Sequence, residues 1–200
     1  MIRKIFTADD FGKYQEGDQI ILNSQINRVS VMVDRGHNFS TLKNQNVGLH
    51  ADFGGENLSS FFSLVFKKKY LTNELDRQIN KFIQIFKRQP AHLDSHRYLH
   101  LHPLVFPIFL KACEKYKIPY LRMSKKGVVK VSNLTSFIVH GMIKIDNLLY
   151  KNKIKNLAVA DYLLSLDWYK NIDFKLPDGT IKVIFHPEND ANLLKQLQNK

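Results

Sequence analysis

The chain has 200 residues, 30 of them Lys or Arg against 18 Asp or Glu, for a net charge of +12, and 44% are hydrophobic. That apolar content excludes a disordered chain, and the length suits one domain with an ordinary core. No run of eighteen apolar residues occurs and the opening MIRKIFTADDFG reads directly as strand, so no membrane span is expected and the expected location is the cytoplasm.

The basic residues are scattered, densest at Lys67, Lys68 and Lys69, at Lys125 and Lys126, and at Lys151, Lys153 and Lys155. A nucleic-acid face gathers its charge, interleaves aromatics and favours the bidentate guanidinium, whereas lysine dominates here. The charge therefore reads as a solvated surface with no nucleic-acid partner, leaving attraction to an anionic membrane surface or substrate carrier open. Cys113 is the only cysteine, which excludes an internal disulfide; within FPIFLKACEKY it reads as a small buried hydrophobe.

In chain order, IRKIFTAD reads as a strand, Gly17 to Ile26 as an amphipathic helix and RVSVMVD as a second strand, a βαβ opening. NVGLHADF is a third strand running into a turn at Gly54 and Gly55. From Leu71 to Arg88 the apolar residues Leu75, Ile79, Phe82, Ile83 and Phe86 mark a helix, with Glu74 and Asp76 in its first turn and Lys87 and Arg88 in its last. PAHLDSH reads as a strand, Pro103 to Tyr116 as a helix with a proline in its first turn, and IPYLRMS as a strand. Helices follow at Leu134 to Leu149, with a boundary at Gly141 left open, and at Val159 to Leu166. The strand TIKVIFHPE and a short C-terminal helix end the chain. This alternation implies an α/β protein with mostly parallel strands, open or closed into a barrel, whose functional groups collect at strand ends.

The strand ends carry Asp9 and Asp10 in ADDFG, His50 in GLH, Asp94 and His96 in DSH, and His186 in FHP. An aspartate pair before glycine can be turn chemistry, and a lone histidine is usually satisfied or solvated. Their recurrence at ends that parallel neighbours bring together reads as a functional site instead. Four of the eight histidines lie in PAHLDSHRYLHLHP. In an extended chain Asp94, His96, Tyr98, His100 and His102 share one side at intervals of about 6.5 Å, so one metal cannot use them all. His92 has the same parity and is expected below the site, while His102 precedes a proline and reads as structural or solvated.

TADDFG, VGLHADFGG, HLDSHRYLHLHP and VIFHPE resemble, in order and approximate spacing, the motifs of the YdjC-like carbohydrate deacetylases, which include hopanoid-biosynthesis deacetylases; NRVSVMVD and IPYLR resemble further strands of that family. The resemblance covers nearly the whole chain. It implies an irregular, TIM-like (β/α) barrel over residues 1–200 as a single domain. It also implies removal of an acetyl group from an N-acetylated amino sugar with one divalent metal, often as a homodimer. Position by position, Asp10 corresponds to the carboxylate ligand, His50 and His96 to the imidazole ligands, and Asp9 to the general base.

With that set, His186 is the expected general acid and Asp94 the expected partner that orients a histidine. Arg122 binds substrate oxygen or balances Asp9, a surface ion pair being the other reading. His100 is left open between a position behind the ligands, a substrate contact and a loop residue. The family's usual Asp-Ser-His-x-His-x-His carries Tyr98 at its middle histidine here, and ADFGGE after His50 departs from the usual apolar and threonine-containing stretch. Magnesium or zinc are the foremost metals, and manganese, cobalt or nickel also suit the donors. The alternatives are a metal-binding, glycan-binding relative with altered chemistry and a metal-dependent phosphoesterase. For a homodimer, Phe61, Phe62 and Phe66 are candidate interface aromatics, with burial under a loop as the other reading.

Overall fold

The computed structural model describes residues 1–24, 26, 28–35, 39–42, 46–54, 63–188 and 190–198. Its strands are β1 (Ile2–Phe11), β2 (Arg28–Val31), β3 (Asn46–Ala51), β4 (Leu93–Ser95), β5 (Tyr120–Ser124), β6 (Ala158–Ala160), β7 (Tyr162–Ser165) and β8 (Gly179–Phe185). Between and after them lie α1 (Gln15–Asn23), α2 (Lys68–Phe86), α3 (Phe106–Lys115), α4 (Leu134–Ile154) and α5 (Ala191–Gln198).

The strands form one sheet in the order β6-β5-β4-β3-β2-β1-β8-β7, with every pairing parallel. The two ends of that order are consecutive in the chain. β6 pairs with β5 and β7 with β8, so the segment 158–165 spans the gap. Just beyond β5, the N–H of Val129 donates to the Leu163 carbonyl and the N–H of Leu163 donates to the Gly127 carbonyl. The result is a nearly closed parallel barrel with helices in the connections. Parallel strands covered on both faces read as apolar runs without alternation, as Val29, Val31, Val47, Leu49 and Val183 do, all fully buried.

Several local expectations shift. The helix expected at Val159 to Leu166 is instead β6 and β7. A short run such as AVADYLLS cannot be assigned by periodicity alone, and pairing with β5 and β8 decides it. α2 begins at Lys68, so Glu74 and Asp76 lie beyond its first turn, and Lys87 ends it in a left-handed cap with φ 53°. α3 begins at Phe106 with Pro107 in its first turn, not at Pro103. α4 runs straight through Gly141 and starts with a capping box in which Asn133 accepts from the N–H of Ser136 and Ser136 closes back on Asn133.

Strand PAHLDSH contracts to Leu93–Ser95, because the chain turns at Arg97 and Tyr98, both at φ 57°. The one-sided extended array therefore stops at Ser95. Cys113 is buried and burial pushes its thiol up to about 12, as its apolar setting implied. Phe66 is exposed, whereas Gly55, Phe61 and Phe62 lie outside the described residues. Among the described residues no helix is long and apolar enough to cross a membrane.

Gly48 in β3 lets His92, just ahead of β4, lie against the backbone: a β-carbon built there falls 2.3 Å from His92 Cδ2. Gly48→Ala is expected to lose about 1–3 kcal/mol by overpacking, and His92→Ala in the same chain to recover part of it, measured by urea unfolding as a double-mutant cycle. Additive losses would contradict the contact.

Asp146 on α4 is fully buried, and neither carboxylate oxygen has a hydrogen-bond partner among the described residues. Burial raises it to about 8. The folded state thus holds a proton that the unfolded chain has lost, and the sign is opposite to that of a paired carboxylate. Stability contributed by neutral Asp146 is fully present below about pH 4 and falls by about 1.4 kcal/mol per unit up to about pH 8. Asp146→Asn is expected to flatten that slope in unfolding measured across the same pH range.

Candidate active site

β1 does not keep a regular pleat at its carboxyl end. Its register with β2 shifts between Ala8 and Phe11, Asp10 sits at φ 62° and Gly12 at φ 95°. Successive strand side chains normally point to opposite faces; an irregularity here re-aims them, and both Asp9 and Asp10 line one cleft at the barrel mouth. A left-handed non-glycine residue is strained, and such strain collects at functional sites. The cleft, of about 970 Å³, also takes in His50, His96, Arg122 and His186. Tyr98 and His102 border it too. These residues come from β1, β3, β5, the turn after β4 and the end of β8, the carboxyl-end position expected of them.

At its floor lies a buried ion network. Arg122, only 1% exposed, engages Asp9 with both terminal nitrogens, Nη2 at 2.5 Å from Asp9 Oδ1. The same nitrogen lies 2.6 Å from Asp94 Oδ2 and donates to Ser30 Oγ at 3.0 Å. Ser30 donates to Asp94 and meets His92 Nε2 at 2.9 Å, so His92 lies buried beneath the site as its parity implied. The surface ion pair considered for Arg122 is excluded by its burial. Asp94 Oδ1 stands 2.5 Å from His50 Nδ1, the pairing that turns the ring's other nitrogen toward the cleft. Burial opposes charge on Asp94, but Arg122 and His50 outweigh it and hold the carboxyl well below the usual range.

Asp10 presents its two oxygens differently. Oδ2 pairs with Lys13 Nζ at 3.1 Å. Oδ1 is buried with no hydrogen bond of good geometry among the described residues, yet His50 Nε2 and His96 Nδ1 each stand 3.3 Å from it. Burial alone would raise Asp10; the two imidazoles overcome it and hold the carboxyl far below its ordinary value. Burial likewise opposes charge on His50, but Asp9, Asp94 and Asp10 lift it to about 10.

The donors fit a divalent cation. One oxygen and two ring nitrogens lie within 4.8 Å of one another. Donors about 2.1 Å from a tetrahedral ion stand roughly 3.4 Å apart, close to both 3.3 Å separations. A second trio, Asp9, His50 and Asp94, is also close enough, but its carboxylates are engaged by Arg122 and its imidazole nitrogen by Asp94. Asp10, His50 and His96 are the freer set.

His186 stands opposite, with Nε2 3.9 Å from Asp9 Oδ2 and Nδ1 3.4 Å from Asp190. Its burial is offset by Asp190, Asp9 and Asp167, which raise it to about 8. With side-chain exposures of 26% and 21%, His96 and His186 are open to the cleft, while His50, Asp9 and Asp94 are sealed below. Tyr98 packs against Trp168 at 5.5 Å between ring centroids. His100 does not reach the cleft. It lies beneath, held by Ser95 and the Arg122 carbonyl, and burial pushes it down to about 3. His102 borders the cleft, and its carbonyl accepts from the N–H groups of Val105 and Phe106 as the chain enters α3.

Lys13, Ser30, Asp167 and Asp190 belong to these contacts and were not singled out in the sequence. Asp167 follows β7, whose misreading as helix hid it as a strand-end residue. Asp190, four residues after His186, carried a spacing signal in HPEND.

Fold and site together define a parallel β/α barrel with a carboxylate–imidazole cluster at the carboxyl ends of its strands. Residues 3–199 match the YdjC-like protein family, and the chain belongs to that family. Curated relatives from Salmonella paratyphi B, Salmonella newport and Salmonella typhi, each called chitooligosaccharide deacetylase, are 36% identical over 66 residues. That match covers 33% of this chain and 26% of each relative, about a quarter of their length. A crystal structure from Enterococcus faecalis V583, described as a candidate cellobiose-phosphate cleavage protein, superimposes with a TM-score of 0.66 at 18% identity. It covers 98% of this chain and 85% of its own, and shows the shared barrel.

Arg122→Met would leave Asp9 and Asp94 buried without their shared cation. A loss of about 3–5 kcal/mol is expected in urea unfolding. An unchanged midpoint would show that the network does not hold the barrel mouth together.

Proposed function

We propose that the chain is a metal-dependent carbohydrate N-deacetylase that hydrolyses the acetamide of an N-acetylated amino sugar or glycoconjugate, with residues 1–200 acting as one domain. The observation that carries this is the buried Oδ1 of Asp10 facing two imidazole nitrogens at 3.3 Å, with Asp9 and His186 flanking it in one cleft. Family membership and the names of the Salmonella relatives support the same reading.

Asp10, His50 and His96 would hold one divalent ion, magnesium or zinc foremost. When bound it supplies positive charge that polarises an amide carbonyl and makes water acidic enough to react near neutral pH. Asp9 takes the proton from the attacking water, its carboxylate fixed in place by both arms of Arg122. Asp94, on His50 Nδ1, would leave Nε2 to face the ion, whose binding releases the proton that the ring otherwise keeps there. His186, raised to about 8 and therefore mainly protonated at pH 7, gives its proton to the departing amine. Asp9 stands 3.9 Å from His186 Nε2, so the proton taken from water has a short path back to the imidazole.

A phosphoesterase built on two or three ions needs more free donors than this cluster offers, since Arg122 engages Asp9 and Asp94. That favours the deacetylase. Metal content by elemental analysis is expected to disappear in Asp10→Ala, His50→Ala and His96→Ala and to persist in Asp9→Asn. Acetate release from N-acetylated sugars by Asp9→Asn is expected to drop about 100-fold or more. Metal retained in all three ligand variants would overturn the assignment, and full turnover in Asp9→Asn would remove the base role.

A further inference from the structure

Helix α4 packs one side on the barrel through Val139, Ile143 and Asp146. Its opposite side is apolar as well. Leu134, Phe137, Ile138, Ile145, Leu148 and Leu149 are 73, 64, 50, 46, 81 and 59% exposed. Their three-and-four spacing places them on one stripe about 22 Å long. Isolated exposed leucines need no explanation, but a continuous apolar face on a surface helix marks a docking surface.

The exposed charges on the helix itself are all of one sign. Lys144, Lys151 and Lys153 are exposed on the same helix, Lys155 follows it, and its single acidic residue, Asp146, is buried. We propose that α4 docks the protein onto a bilayer surface containing anionic phospholipid, its apolar stripe entering the acyl boundary and its lysines meeting the headgroups. Charge selects this occupant over a second copy. Two α4 faces laid together would add the lysines of both copies with no exposed acidic residue on the helix to pair them, whereas an anionic bilayer satisfies both the stripe and its border. The chain's net charge of +12 acts in the same direction.

Ile138 and Ile145 belong both to the stripe and to the wall of the cleft. Docking therefore brings the cleft mouth to the membrane, where a sugar on a lipid carrier can reach the Asp10 cluster without leaving the surface. That last consequence rests on the proposed deacetylase function; the docking does not.

The test is flotation with vesicles of phosphatidylcholine alone and of phosphatidylcholine with phosphatidylglycerol, beside light scattering of the protein in solution. The wild-type chain is expected to float with the anionic vesicles at low salt, to float at least tenfold less with neutral ones and to release as salt rises. The double variant Phe137→Glu with Leu148→Glu is expected to lose flotation while its thermal midpoint and any acetate release from a soluble substrate stay unchanged, since neither side chain borders the cleft. A fluorophore on Leu148→Cys, with Cys113 buried and out of competition, is expected to shift to the blue on adding anionic vesicles. No flotation of the wild type, unchanged flotation of the double variant, no blue shift, or a dimer that the double variant splits would each overturn the proposal. The last would assign the stripe to a second copy.

Discussion

Arg122 is a cation sealed inside the barrel mouth, and a buried cation is destabilising by several kcal/mol unless carboxylates meet it in good geometry. Asp9 and Asp94 meet it from β1 and β4, so three strands are tied at their carboxyl ends by one guanidinium. Each further element of the site follows from that knot. Asp94, anchored by Arg122, anchors His50; His50 and the neighbouring aspartate pair then define where Asp10 Oδ1 and His96 converge. A planar fork grips both oxygens of Asp9 with two nitrogens and still reaches Asp94 and Ser30, four contacts where an ammonium has three N–H donors.

The same constraint explains why the two aspartates divide their work. Asp9 is held by Arg122 and looks across to His186; Asp10, one residue on, sits in a left-handed backbone and presents one oxygen to two imidazoles at 3.3 Å. A regular strand would have sent these side chains to opposite faces. Backbone strain at Asp10 is thus the local condition for lining one cleft with two consecutive carboxylates in different surroundings.

Much of this was legible in the sequence. Parallel β/α alternation, the strand-end position of Asp9, Asp10, His50, Asp94 and His186, and the buried place of His92 follow from apolar runs and the rule that loops at carboxyl ends carry the chemistry. The part that was not legible has a common cause: tertiary contacts override local pattern. β6 and β7 read as a helix because a short apolar run is ambiguous until it pairs, and Asp167 was hidden with them. The histidine array of HLDSHRYLHLH read as one extended face because nothing local announced two consecutive left-handed residues at Arg97 and Tyr98. That turn keeps His96 at the cleft and sends His100 under it, so Tyr98 packs on Trp168 at the cleft edge. Charge scatter, in turn, concealed that α4 collects lysines around an apolar stripe, a pattern visible only once its buried side is known.

An anchored guanidinium, an oriented imidazole and a carboxylate facing two ring nitrogens form a group of donors that could hold a metal ion. The most direct test is acetate release from a panel of N-acetylated mono- and oligosaccharides, using protein stripped by chelator and then reloaded with each divalent ion in turn. The account predicts no release from the stripped protein and restored release with at least one ion. Release that is equally fast before and after reloading, or absent throughout while one ion binds tightly per chain, would contradict it.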